Sequence, residues 1–213
     1  MPVTERSEMH VSAEGIVGAR ANFREGPTPK FFNHMTAAEL RSALPPEVWK
    51  TYARIGSIRN PFAIVLSRVF MDARAEKLQD LGVDAARARL ERFVLELGGS
   101  EQLRDYFDTQ RANVLTRAVR FEALAEDVAQ IAQDFGLDPS GFPTKKYFEN
   151  QMKSRHPSEF YSADAEAAVR EIYRSDFEAF GYSMDVRDAE LAPDPNVLAR
   201  SLQRAKELKV NAL

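Results

Sequence analysis

The chain has 213 residues, 44% hydrophobic and 29% charged, with a formal net charge of −3 and no cysteine. That is enough apolar material for one real core, with no global basic field to draw in nucleic acid or an anionic membrane. Disulfide and thiolate chemistry are excluded, a reducing cytoplasmic compartment is the default, and no apolar run approaches the ~18 residues that span a bilayer.

Positions 1–30 are rich in charge, Gly and Pro without periodicity, which predicts an irregular leader. An α/β domain is expected over 31–190 and a C-terminal helix over 191–213. Thr36 suits the N-cap of a helix over Ala37 to Leu44, with Glu39 as the capping-box glutamate and Pro45-Pro46 as its stop. A short helix from Glu47 to Thr51 then leads into a strand from Ala53 to Ile58. Trp49 and Tyr52 read as packing that helix on the sheet, in preference to stacking on a sugar. The next helix, Pro61 to about Leu78, repeats apolar residues at Ile64, Val65, Phe70 and Met71.

Asp84 suits the cap of a helix from Ala85 to Leu97, closed by Gly98-Gly99. Val114 to Phe121 alternates as a second strand, and Ala123 to Phe135 forms an amphipathic helix ending at Gly136. A Pro and Gly loop over 139–143 precedes a basic stretch, and helices follow over Ala163 to Phe180 and Pro195 to Lys209. Two strands are few for a doubly wound sheet.

The run Ile55 to Ser67 carries the most chemistry. Small and apolar residues through Ile58 suit the end of an inner strand, Asn60 suits an N-cap, and Pro61 suits the first helical position. A parallel sheet puts such a turn at its carboxyl edge, where α/β folds bind ligands and where free N–H groups at a helix start favour anions. Arg59 adds a charged fork matched to phosphate, and Ser67, eight positions on, adds a hydroxyl. The same residues also suit an ordinary capped helix with Arg59 in a salt bridge.

Ser57-Ile-Arg-Asn-Pro-Phe62 with Ser67 resembles the 3′-phosphate-binding motif of sulfotransferases. Arg120-Phe-Glu-Ala-Leu-Ala-Glu-Asp127 is similar to the family's later strand end and acidic helix start, and Tyr161 through Asp176-Phe-Glu-Ala-Phe-Gly-Tyr182 to its closing helix. Phe32-Asn-His-Met-Thr-Ala-Ala-Glu-Leu-Arg41, with Trp49 and Tyr52, is similar to the segment before the arginine motif in carbohydrate-type members. Together these cover about Gly15 to Tyr182.

The resemblance implies a helix-rich, P-loop NTPase-like α/β fold of three layers around a parallel sheet, shortened at its N-terminus. It also implies transfer of a sulfuryl group from 3′-phosphoadenosine 5′-phosphosulfate (PAPS) to a hydroxyl on a carbohydrate or small metabolite, without a metal. Arg59 and Ser67 would hold the 3′-phosphate. His34 would serve as general base, although it equally suits a helix-entry histidine bonded to local backbone.

Lys153, Ser154 and Arg155, with Lys145 and Lys146, lie where relatives place groups near the cofactor phosphate or acceptor, or else form a solvated charged loop. Phe121 stands where some relatives carry a tyrosine near the adenine, and could equally be core. His10 and His156 make no metal set. The family's lysine-containing phosphosulfate loop is not recognisable, since no lysine precedes Lys30 and bulky aromatics follow it. Either that loop lies upstream of Met1 or the chain is a shortened, non-catalytic nucleotide-binding relative.

Overall fold

In the computed structural model the described residues are 10–12, 15–17, 30–32, 35–75, 82–97, 106–107, 113–138 and 155–210. Strands β1 (His10–Ser12) and β2 (Gly15–Val17) pair antiparallel, with Val11 opposite Ile16. Helices α1 (Ala37–Ala43) and α2 (Pro46–Thr51) lead to β3 (Ile55–Ile58). The long helix α3 (Pro61–Ala75) and α4 (Val83–Glu96) follow, then β4 (Arg117–Arg120) and α5 (Leu124–Phe135). Three helices finish the fold: α6 (Ala163–Ile172), α7 (Arg174–Phe180) and α8 (Pro195–Val210).

Strands β3 and β4 run parallel, Ile55 beside Arg117 and Ile58 beside Arg120. Parallel neighbours need a crossover, and α3 and α4 lie within it. Side chains alternate along the pair. Ile58 is wholly buried, Ala118 packs on the same core, and a Cβ added to Gly56 would sit 2.9 Å from side-chain atoms of Leu115 and Tyr106. On the opposite face Ile55 and Ser57 are exposed, and Arg117 reaches Asp134 of α5 at 3.8 Å. Helices therefore lie on both sides of a small parallel sheet in a helix-rich α/β arrangement.

The core is built where α3 meets α4, α6 and α7. Phe62, Val65 and Val69 of α3 face Ala86 and Leu90 of α4, with Val169, Phe177 and Phe180 beyond. Phe62 meets Tyr161 edge-on at 5.3 Å, and Phe70 meets Phe160 at 5.5 Å. Each such side chain contributes about 1.5–3 kcal/mol by leaving water. The Tyr161 hydroxyl donates to the Phe62 carbonyl at 2.8 Å, so the buried phenol is satisfied. Burial, then Tyr173, raise its pKa well above the usual tyrosine value.

Local signals explain several boundaries. The Thr36 hydroxyl accepts from the Glu39 N–H while the Glu39 carboxylate accepts from the Thr36 N–H, the capping box that their spacing predicts. Gly136 ends α5 with φ 65°, and Gly181 ends α7 with φ 80°. Asp84, expected as a cap, instead lies in the first turn of α4 beside Arg87, and Gly82 holds the N-cap. The single helix expected over Ala163 to Phe180 is divided at the buried Tyr173, where φ is −104° and ψ is 16°. The second strand is shorter than expected because residues 113–116 make other contacts. Gly98-Gly99 lie outside the described residues.

Those contacts centre on Arg54. Its Nε donates to the Val114 carbonyl at 2.6 Å, Nη1 to Trp49 at 2.8 Å and Nη2 to Ala205 of α8 at 3.3 Å. The guanidinium also lies 4.9 Å from the Trp49 ring centroid. Trp49 is half-buried beside Arg54, whereas Tyr52, expected to pack its helix on the sheet, is 66% exposed. No helix among the described residues is long and apolar enough to cross a membrane.

Candidate functional site

The chain leaves β3 at Ile58, passes through Arg59 and Asn60 outside regular structure, and enters α3 at Pro61. Asn60 is fully buried and caps the helix, its Oδ1 accepting from the Phe62 N–H at 3.0 Å. Its own N–H donates to Glu122 Oε1 at 2.9 Å. Pro61 has no N–H. The backbone donors expected to greet an anion here are therefore largely engaged, and charge recognition falls to side chains. Asn60 Nδ2 is buried without a hydrogen-bond partner among the described residues.

Arg59 stands beside this cap. Its guanidinium lies 4.2 Å from the Phe121 ring centroid, at the carboxyl end of the neighbouring strand. Burial pulls its pKa below the usual arginine value, while the charges of Glu122, Tyr182 and Glu190 act in the opposite direction. A guanidinium remains cationic at neutral pH under any such shift. Phe121 is 40% exposed, which removes it from the core and leaves part of its ring open beside the cation.

Glu122 ties three segments together. One carboxylate oxygen accepts from the Asn60 N–H, and Oε2 accepts from the Tyr182 hydroxyl at 2.9 Å. Burial raises the Tyr182 pKa most, and the adjacent carboxylate raises it further, so the phenol stays a donor. Nearby, Arg120 grips Asp127 at 2.6 Å and 2.9 Å, and its backbone N–H donates to the same carboxylate at 2.6 Å. Burial alone would raise the Asp127 pKa, but these bonds hold it below the ordinary aspartate value.

The remaining candidates are distributed as follows. Ser67 lies on α3 with an exposed side chain, between the buried Leu66 and Val69 positions and about 9 Å along the axis from Pro61. Arg155 is exposed and bonded to Glu159 at 2.8 Å, at the entrance of a 3₁₀ turn, Pro157–Glu159, that packs against α3. His156 caps that turn, its Nδ1 accepting from the Ser158 N–H at 3.2 Å. His34, Lys153 and Ser154, with Lys145 and Lys146, lie outside the described residues. The structure brings Arg59 and Phe121 together.

Glu122, Tyr182 and Asn60 complete that group; the cap role of Asn60 is local, but its link to Glu122 and Tyr182 does not follow from spacing alone. Glu122 and Asn60 are 62 residues apart, and no local pattern announces a contact of that range. On the far side of Tyr182 a cleft of about 470 Å³ opens, lined by Phe177, Met184, Leu191 and Val197 with Asp188 and Asp194. Its two aspartates already serve the fold. Asp188 accepts from the Ser183 hydroxyl at 2.7 Å, and Asp194 caps α8. Among the described residues no group of three or more His, Asp and Glu gathers as a metal site. No protein-family model matches the chain, and comparison with curated proteins and with solved structures finds no match.

Proposed function

We propose that this chain is a sulfotransferase-family protein of P-loop NTPase-like fold. It holds the 3′-phosphate of PAPS, with transfer of the sulfuryl group to a hydroxyl of a carbohydrate or small metabolite. The observation that carries the reading is the position of Arg59. A half-buried guanidinium lies at the carboxyl end of a parallel strand pair, between a capped helix start and the ring of Phe121. That is where open α/β sheets bind ligands, and a planar fork suits phosphate oxygens.

In this reading Arg59 and Ser67 hold the 3′-phosphate and the exposed part of Phe121 offers a surface to the adenine. Lys153, Ser154 and Arg155 close over the nucleotide, and His34 takes the acceptor proton. The acceptor oxygen bonds to sulfur as the sulfur–oxygen bond to the 5′-phosphate breaks, leaving a sulfate ester and adenosine 3′,5′-bisphosphate. The protein's share of such a reaction is positioning and charge stabilisation, and no metal is needed. The reading further places the protein in the cytoplasm.

A second reading is a nucleotide-binding protein without transfer activity. Calorimetric titration with adenosine 3′,5′-bisphosphate tests what the two share. Binding is expected to weaken at least ~10-fold in Arg59→Ala, in line with loss of a charged hydrogen-bonding partner. An affinity indifferent to that change overturns both. Sulfate-ester formation from PAPS then separates them.

A further inference from the structure

We propose that the cleft beside α7 and the start of α8 is a binding site for a small organic ammonium ion with an apolar body, an aralkyl amine in the simplest case. The site is separate from Arg59 and does not depend on how that residue is read.

The cleft holds about 470 Å³, a size that takes small organic ligands. The buried rings of Phe177 and Tyr182 line its depth, and Met184 and Val197 are half-buried beside them. Leu191 belongs to the same lining and is 60% exposed, so an apolar side chain stands there with most of its surface in water. A ligand that covers it gains by removing that surface. The walls therefore select an apolar body.

The charges select its head group. Glu178, Asp188 and Asp194 line the cleft, and among the described residues no Lys, Arg or His does. Asp188 accepts the Ser183 hydroxyl through Oδ2 only, and Asp194 accepts the Asn196 and Val197 N–H groups through Oδ1 only. The second oxygen of each takes no hydrogen bond from a described residue. The arginines of this region face other acids: Arg170 pairs with Glu166, Arg174 with Glu171 and Arg187 with Asp185. Three carboxylates thus share an apolar cleft without an ion pair among the described residues. An ammonium supplies that counter-charge and up to three donors, whereas an anion meets only repulsion.

The test titrates the full chain at low ionic strength with 2-phenylethylamine, with neutral 2-phenylethanol and with anionic 3-phenylpropanoate. Methyl NMR shifts of Met184, Leu191 and Val197 report occupancy. The amine is expected to saturate, the alcohol to bind at least ~10-fold more weakly, the scale of a charge-assisted hydrogen bond, and the carboxylate not to bind. Glu178→Gln with Asp188→Asn keeps side-chain size and should weaken the amine about tenfold while leaving the alcohol unmoved. Glu47→Gln, which removes one charge outside the cleft, should leave the amine unmoved.

Four results overturn the inference: no saturable shift with the amine, an alcohol that binds as tightly, a double variant that binds as tightly as wild type, or an equal loss in Glu47→Gln. Tighter binding of Nα-acetyl-lysine amide than of phenylethylamine overturns it too, by assigning the cleft to a protein side chain. Thermal melting checks the double variant. Should that variant melt early, Glu178→Gln alone decides, since Glu178 is exposed, and it should weaken the amine about threefold.

Discussion

Arg120 and Asp127 close on each other twice, once through the guanidinium fork and once through the Arg120 backbone N–H, which donates to the same carboxylate at 2.6 Å. The pair fastens the end of β4 to the first turns of α5. Asp127→Asn keeps an acceptor but loses the charge, and should cost about 1–3 kcal/mol in urea denaturation at pH 7. The Asp127 pKa is depressed in the folded state, so the stabilisation is present above the ordinary aspartate range and fades as pH falls through the folded pKa. The gap between wild type and variant should therefore shrink at pH 3, and a gap constant with pH would contradict this.

Gly181 and Gly136 both end helices with positive φ, at 80° and 65°, but their surroundings differ. A Cβ on Gly181 would lie 2.7 Å from Val197 Cβ, whereas one on Gly136 meets nothing within 4 Å. Gly136→Ala should cost only the conformational penalty, about 1 kcal/mol. Gly181→Ala adds a steric clash with α8 and should cost about 2–4 kcal/mol. Equal losses in parallel denaturation curves would show that α8 yields freely.

Arg54 donates to three carbonyls from three segments, so its removal leaves several acceptors without their charged donor. Arg54→Ala is expected to destabilise by about 2–4 kcal/mol. Arg54→Lys keeps the charge without the fork and should recover less than half of that. Full recovery by lysine would mean that charge alone matters there.

Asp185 receives the Arg187 side chain and its backbone N–H, and these bonds lower its pKa to about 2. Carboxyl carbon shifts followed by NMR should place its midpoint near that value. In Arg187→Ala the midpoint should climb back towards ordinary aspartate. A wild-type midpoint near 4 would remove the pair from solution.

The turn at Arg59 to Pro61, the Thr36 and Glu39 box and the Gly136 stop were legible because each is a local device, written within a few residues of where it acts. The break at Tyr173 was not, for no Gly or Pro marks it. What surrounds it is burial of Tyr173, Phe177 and Phe180 against partners far away in the chain. The site divides in the same manner. Arg59 could be singled out from its neighbours in sequence, while the carboxylate that governs its surroundings comes from after the next strand and the phenol holding that carboxylate from a further 60 residues on. Asp84 misled because Asp suits both a cap and a first turn.

With Pro61 lacking a donor and the Asn60 and Phe62 amides engaged, the doorway of α3 offers an arriving anion little rigid cradle of peptide dipoles. Capture there would rest on one long cation lying on an aromatic plate. Such a grip is soft in shape and exposed to screening, so its strength should slide with ionic strength far more than that of a glycine-lined nest.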